Sequence, residues 1–410
     1  RQQPATLSFG LTRAYEGTLS ARASVDAAYL ESYNAANGTA YELYPETLVS
    51  FANDGAFTVS EADATRATAT MTVSPSTELA AGVVYAIPVV VEADGITLKE
   101  EASHCLYLIN GDTEQAGNFA DCDKGEGHPK AFLYFEVNGT NPLNALTFKL
   151  ENGKLLWDAV VLFAANINWD AAAGRAYVNC NPNVQFLLDN NETYLQPLRK
   201  RGIKVLLGLL GNHDQSGLAQ LSDIGARDFA AEVAEYVYAY NLDGVNYDDE
   251  YSNSPDLSNP YFAARSQDAA ARLTYETKKL MPDKLVTIFD WGSMYGTDEV
   301  DGVDADEWID IVVANYGASA YPIGDMSISK CSGISIEFNQ GWPSMNSSTA
   351  QNILDRNYGW IMGFALAPEN FDRSYSLLSG VETLYGSPLA YPTTFYKKDD
   401  PKPYVFPDDL

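Results

Sequence analysis

Residues 242–251 read Leu-Asp-Gly-Val-Asn-Tyr-Asp-Asp-Glu-Tyr, and their types and spacing are those of acid–base chemistry. In an extended strand alternate side chains share a face, so Gly244, Asn246, Asp248 and Glu250 point one way and Val245, Tyr247 and Asp249 the other. Burying a row of Asn, Asp and Glu is costly unless the polar groups serve a purpose. Two carboxylates about 7 Å apart on one face each raise the other's proton affinity, as a general acid and its neighbour require. Gly244 is expected to leave room beneath them. The bland alternative is an edge strand running into a solvated acidic turn. Against it stand a helical pattern before the segment, a longer one after it, and seven further strand candidates.

Those elements predict an α/β architecture in which an irregular (β/α)8 TIM barrel follows an all-β sandwich domain. Near-continuous apolar runs at 131–137, 159–165, 204–210, 244–250, 285–290, 309–315, 334–338 and 360–366 supply eight buried parallel strands. Helical periodicity is present at 184–200, 227–240, 261–280, 348–356 and 374–385. The stretches 138–158 and 291–308 are rich in Gly, Asn and Asp and carry no helical period, so the barrel is expected to be irregular there. Residues 1–122 have another texture: short alternating runs such as 68–73 and 83–91 between turn-rich pieces, with one helical interruption at 25–34. The stretch 111–129 reads as the linker, so the domains are expected at 1–122 and 128–410.

Active sites of such barrels lie at the C-terminal ends of the strands, and here each strand ends in polar or aromatic residues. In chain order these include Glu136 and Asn138, Asn166 and Asn168, Asn212 and His213, Asp248, Glu250 and Tyr251, Asp290 and Trp291, Asn315 and Tyr316, and Glu337 and Asn339. Amides hydrogen-bond hydroxyls in pairs and ring faces cover apolar C–H patches, so this set suits a carbohydrate. For any one of these residues, loop capping is an equally good account. Asp301-Gly302-Val303-Asp304-Ala305-Asp306-Glu307 repeats the first motif superficially, but its Glu comes one residue early, so it reads as a loop leading into the sixth strand.

Asp243-Gly244-x-Asn246-x-Asp248-x-Glu250 resembles the DGxDxDxE pattern of glycoside hydrolase family 18, and the closing DDEY is similar to the endo-β-N-acetylglucosaminidase branch of the endoglycosidase H and F type. Residues 134–138 (YFEVN), 163–168 (FAANIN), 202–207 (GIKVLL) and 210–213 (LGNH) resemble the first three strands of those enzymes in the same order, and the likeness runs from about residue 130 to about residue 390. The resemblance implies hydrolysis of the GlcNAc–GlcNAc bond of N-linked glycans with retention, without a cofactor or metal. The substrate's own acetamido oxygen is then the nucleophile, Glu250 the acid and base, Asp248 the acetamido partner, and Tyr316 a donor to the acetamido oxygen. Glu136, Asn138, Asn166, Asn168, Asn212, His213, Tyr251, Trp291, Asn315 and Glu337 are expected to contact the glycan. Asn246 departs from the family's Asp; it can bond Asp248 but cannot hold a shared proton. Residues 25–45 resemble the small β-sandwich domain that precedes catalytic modules in surface glycan-degrading proteins of Gram-negative bacteria. That domain is either a glycan-binding module or a spacer.

Composition bounds the alternatives. A chain of 410 residues with 46% hydrophobic residues suits two well-cored domains. A net charge of −29 disfavours nucleic acid and anionic membranes as partners. No apolar run is long enough to span a membrane. The chain opens at Arg1 without a signal-peptide pattern, and a processed, extracytoplasmic monomer is expected, secreted or held at a bacterial surface through a lipid anchor outside this sequence. The four cysteines leave open a Cys105–Cys122 bridge or four buried thiols. Three scattered histidines make a zinc site improbable. A chitinase of the same family and a silent glycan-binding protein are the rival functions; silent members typically lack the acid, which is present here.

Overall fold

The computed structural model describes residues 3–11, 15–59, 66–74, 76, 79–80, 83–99, 103–110, 121–295, 297–398 and 400, and divides the chain into two compact units between Gln115 and Ala116. Most of the expected linker, residues 111–120, lies outside the described residues. In the first unit, Gln3–Gly10, Arg66–Val73 and Val49–Phe51 form a three-stranded sheet. A second sheet contains Glu42–Leu43, Val84–Ala93, Leu19–Val25, Ala56–Val59 and His104–Asn110. Leu7, Ala69 and Met71 from one sheet and Ala23, Tyr85, Ile87 and Val89 from the other share one core, the arrangement of a sandwich. The helical interruption is Ala27–Asn37, started by the Asp26 side chain on the amides of Ala28 and Tyr29 and ended by Gly38 in the left-handed region.

The second unit is a nearly closed barrel of eight parallel strands: Lys130–Glu136, Ala159–Asp170, Lys204–Leu210, Gly244–Asp248, Leu285–Asp290, Ile311–Ala314, Ser332–Glu337 and Trp360–Phe364. The sheet runs in the order six, five, four, three, two, one, eight, seven. A parallel bridge between Val312 and Cys331, with Ala314 N donating to Ser332 Oγ at 3.0 Å, joins its ends. Alternation sorts the side chains: Phe132, Tyr134, Val161, Leu206, Phe289, Val313 and Met362 fill the lumen, while Leu133, Val160, Leu207, Val245, Tyr247 and Val312 pack under the surrounding helices and loops.

The connections depart from the regular pattern more than expected. Among the described residues, the stretches 138–158 and 291–308 hold only 3-10 turns, isolated bridges at Lys149 and Leu150, and the short ribbon of Glu299–Val300 with Val303–Asp304. A third connection, between the sixth and seventh strands, also lacks an α-helix and has only the 3-10 turn Ile328–Lys330. The continuous helix expected over 184–200 is three short ones, Pro182–Asp189, Asn191–Tyr194 and Gln196–Lys200, because Asn190 leaves the helical path and Pro197 cannot donate to a preceding turn. The helix expected over 261–280 begins only at Gln267, where the Ser266 hydroxyl accepts from Ala269 N. Asp301 and Gly302, both at positive φ, form the hairpin turn of the short ribbon, and Arg272 holds the Asp301 carboxylate.

The residues just before the barrel and the motif's glycine have partners that spacing along the chain does not indicate. Asp121 and Cys122 belong to the barrel: Asp121 pairs with Arg201 at 2.8 Å, and Cys122 is buried in the barrel core. Gly244 does not make room for the carboxylates. A Cβ there would lie 2.1 Å from the Leu285 carbonyl oxygen, so its lack of a side chain admits the backbone of the fifth strand.

Asp243, the first residue of the motif, is structural. Its carboxylate accepts from Arg199 at 2.8 and 3.1 Å and from the amide of Val205 at 3.0 Å, tying the entry of the fourth strand to the third. Asp243→Ala strands a mostly buried guanidinium and should lower the stability of the barrel by about 3–5 kcal/mol in urea unfolding. A loss below about 1 kcal/mol would mean that solvent screens the pair. Truncation gives a second expectation. Lys124 pairs with the buried Asp158 at 2.6 Å, so removing residues 1–125 leaves that carboxylate without its counter-charge and with the Ala131 amide as its remaining donor, whereas removing residues 1–115 leaves the pair intact. Of the two truncated chains, the longer should be the more soluble and more stable in a side-by-side thermal melt.

Candidate active site

The fourth strand ends at Asp248, two residues before the expected boundary. Glu250 therefore stands on a turn, its amide donating to the carbonyl of Asp248 at 3.1 Å. Below it, Asn246 is fully buried in the lumen. Tyr134 OH donates to Asn246 Oδ1 at 3.0 Å, and Asn246 Nδ2 donates to Thr287 Oγ1 at 2.9 Å. The Thr287 hydroxyl proton goes to the Val245 carbonyl at 3.0 Å. Asn246 makes no hydrogen bond to Asp248; Tyr134 and Thr287 fix the orientation of its amide instead.

Asp248 is 4% exposed, and its Oδ1 is buried without a hydrogen-bond partner. An acceptor in that state costs about 1–3 kcal/mol unless something supplies a donor. Burial first, then the charges of Glu250 and Asp249, hold its carboxyl well above the usual range. Glu250 is raised as well, chiefly by burial, against the Trp291 indole N–H, which favours the ionised form. Tyr316 follows the sixth strand, packs with its ring tilted against Phe364 and Phe289, and lies within charge reach of Glu337, Asp248, Glu250 and Glu136, in that order of influence. Burial and those carboxylates push the phenol upward, so it remains a donor.

The other expected contacts divide. Glu136 ends the first strand on the lumen side and is raised by burial and by Glu337. Glu337 is buried and accepts from the amides of Asn339 and Gln340, which closes the turn after the seventh strand. Asn166 spends its amide protons on the carbonyls of Leu210 and Gly211, and Asn168 accepts from Asn179 and Asn212 and donates to Asp214. These amides lace the second and third strands together. Asn138 is exposed and accepts from Asn183 at 2.8 Å. The loops after the third and fourth strands are zipped by His213 N on the Tyr251 carbonyl at 2.5 Å, with the two rings 5.5 Å apart. Gly211 permits this, since a Cβ there would lie 2.1 Å from the Glu250 carbonyl oxygen. Trp291 and Asn315 line a cleft between the fifth and sixth strands.

Sequence reasoning passed over three groups that build this centre, Tyr134, Thr287 and Asp249, and gave Asp290 only as one strand-end residue among many. Tyr134 and Thr287 share the inward parity of Glu136 and Phe289, and a polar residue at an inward position of an apolar strand was the available signal. Asp249 faces outward, accepts from the Ser293 amide at 3.1 Å and so anchors the loop bearing Trp291. Asp290 ends the fifth strand in the cleft wall, a position visible in the sequence but without a distinguishing pattern.

Comparison with known proteins places this geometry. The chain is 46% identical over 285 residues to endo-β-N-acetylglucosaminidase F1 of Elizabethkingia meningoseptica, covering 66% of this chain and 82% of that protein. It is similar to the crystal structure of Bacteroides thetaiotamicron EndoBT-3987 with a Man5GlcNAc product, at 59% identity and a TM-score of 0.68 over 100% of this chain and 96% of that one. The same enzyme in complex with a Man9GlcNAc2Asn substrate matches at 57% identity and a TM-score of 0.69, over 99% and 96%. Residues 2–96 match a family model described as an N-terminal domain.

The unpartnered Asp248 oxygen has a consequence for stability. A carboxyl raised in the fold above its unfolded value destabilises the native state once ionised; stability is lost as pH rises through the folded value and is regained on acidification. Asp248→Asn removes the ionisable group and should raise the thermal midpoint at neutral pH, with less gain on acidification than in the parent. A midpoint equal to or below the parent's at neutral pH would mean that Asp248 is not paying a burial cost. Thr287→Val leaves the Asn246 amide unsatisfied and should cost about 1–3 kcal/mol, measured by the same unfolding assay.

Proposed function

The chain belongs to the endo-β-N-acetylglucosaminidases, and from that premise we propose that it hydrolyses the β-1,4 bond between the two core GlcNAc residues of N-linked glycans by a retaining, substrate-assisted route. The observation that carries this reading is the buried, unpartnered Oδ1 of Asp248 beside Glu250 and Tyr316. An acetamido N–H supplies the donor which that oxygen lacks. Once it is bound, the ionised form of Asp248 is favoured, and its charge keeps the neighbouring Glu250 protonated. Tyr316 then donates to the acetamido oxygen and directs it at the anomeric carbon.

The acetamido oxygen forms a bond to the anomeric carbon as the glycosidic bond breaks, and Glu250 gives its proton to the departing oxygen. The oxazolinium cation formed is balanced by Asp248. Glu250, now ionised, takes a proton from water as the water oxygen attacks the anomeric carbon, and the ring opens to a β product. The chitinase and silent-binder readings are less well supported, since the acid is present and the relatives are endoglycosidases. We propose that it acts outside the cytoplasm, at a bacterial surface or in the medium, and as a monomer; the N-glycan named with its relative supports the location. Among the described residues no helix is long and apolar enough to cross a membrane.

Glu250→Gln should fold normally and lose about 10²–10⁴-fold in turnover on a high-mannose glycoprotein, the usual yield of general acid catalysis. More than a tenth of parental turnover would refute the assignment. A thiazoline analogue of the GlcNAc donor should inhibit the parent competitively, and proton NMR of the first-formed reducing end should show the β anomer.

A further inference from the structure

Between Asp248 and Glu250 stands a third carboxylate that the steps above leave unused. Asp249 faces outward from the strand end, and its side chain is fully buried. Its Oδ2 accepts from the Ser293 amide at 3.1 Å and lies 4.0 Å from Arg265 Nε, while its Oδ1 is buried without a hydrogen-bond partner. The loop after the fifth strand closes over it: Gly292 has φ +61°, and a Cβ there would lie 2.3 Å from the Asp249 carbonyl oxygen and 3.0 Å from its Oδ2. Anchoring that loop requires only an acceptor for the Ser293 amide. An asparagine would supply one without the cost of burying a charge. The charge itself is what the anchoring role does not explain.

Arg265 precedes the helix Gln267–Leu280 and is pinned behind the same turn. It donates to the Ser252 carbonyl at 3.1 Å and to Gln220 Oε1 at 3.4 Å, and Gln220 Nε2 donates in turn to the carbonyls of Gln215 and Asn253 at 2.7 and 2.8 Å. What Arg265 gives Asp249 across 4.0 Å is charge. The guanidinium is 41% exposed and solvent screens it, whereas the carboxylate is sealed from water, so the pair is not neutral as felt by Glu250. The other titratable groups around Glu250 are Asp248 on the same strand, Tyr251 beside it and Tyr316 after the sixth strand, with Glu136 and Glu337 beyond them. None of these is a cation. Burial first, and then the charge of Asp249, raise Glu250 against the Trp291 N–H. Asp248 is itself held well above the usual range, so its charge is drawn out only when a ligand supplies the missing donor. Asp249, on the outer face, does not wait for one.

We propose that Asp249 and Arg265 are positioning residues that act on the acid: the sealed carboxylate keeps the proton on Glu250 in the free enzyme, and the guanidinium limits how strongly it does so. This rests on Glu250 being the acid, and its test reads the proton directly. The Glu250 carboxyl is titrated by 13C NMR in substrate-free protein carrying 13C-labelled glutamate, with Glu250→Gln identifying its signal. The dependence of kcat/KM on pH, which reports the free enzyme, is measured on a soluble high-mannose glycopeptide. Asp249→Asn keeps an acceptor for Ser293 and removes the charge, so the Glu250 midpoint and the alkaline limb of the profile should both move down by about one pH unit, the effect of one partly screened neighbouring charge. Arg265→Gln should move both upward, and Arg265→Lys, which keeps the charge, should stay near the parent. Midpoints that stay put in Asp249→Asn and Arg265→Gln, or that move the same way in both, would overturn the inference. So would a loss of turnover equal at every pH, which is what a purely structural anchor gives. Should Asp249→Asn fail to fold, Arg265→Gln at its half-exposed position decides alone, and an unmoved or lowered midpoint overturns the inference. Turnover retained by Glu250→Gln would refute the acid, whereas the midpoints would still decide whether the pair governs the Glu250 proton.

Discussion

The burial of Asp248 without a protein donor for its Oδ1 is the constraint around which the barrel mouth is arranged. A carboxylate taken out of water raises its proton affinity, and a second and third carboxylate nearby raise it again. The fold could have relieved this by turning the Asn246 amide upward, but that amide is held by Tyr134 and Thr287 in the layer below. The oxygen is left for a ligand. In the mechanism proposed above, the substrate's acetamido N–H supplies that donor, so the site is preorganised for it.

Alternation along one strand divides the labour. Inward from the fourth strand come Asn246 and Asp248, whose neighbours across the lumen are aromatic and apolar. Outward come Val245 and Tyr247, which pack into the main core, and Asp249, which holds the loop carrying Trp291. Asp243 at the strand entry is bound to Arg199 and to the third strand. The rigidity of the acid–base pair is thus supplied by the residues that alternate with it. Irregular connections are tolerated because the lumen layer and these ties position the strand ends without a full ring of helices.

Much of the barrel was legible because buried parallel strands are apolar on both faces and stand out as eight runs. The inward row at 244–250 was legible for the same reason, as polar residues in an otherwise apolar segment. Less legible were features that depend on partners distant in sequence. The role of Gly244 is set by Leu285 in the next strand, and the fate of the Asn166 and Asn168 amides by the loop after the third strand. The third helix-free connection, between the sixth and seventh strands, left no periodicity to misread and was simply unremarked.

What the sequence determined by itself was the chemistry on offer: two carboxylates of one parity, a tyrosine after the sixth strand, and a barrel to carry them. Local types and spacings suffice for that, since strand alternation and buried runs are properties of neighbouring residues. Tertiary structure alone decided which groups remain unsatisfied. Whether an amide is spent on a threonine or left for a ligand, and whether a strand-end aspartate lies bare in a cleft or is tied to an arginine as Asp243 is, depends on residues brought together by closure of the barrel. Hydrogen-bond satisfaction is an account over all neighbours in space, and spacing along the chain does not contain it.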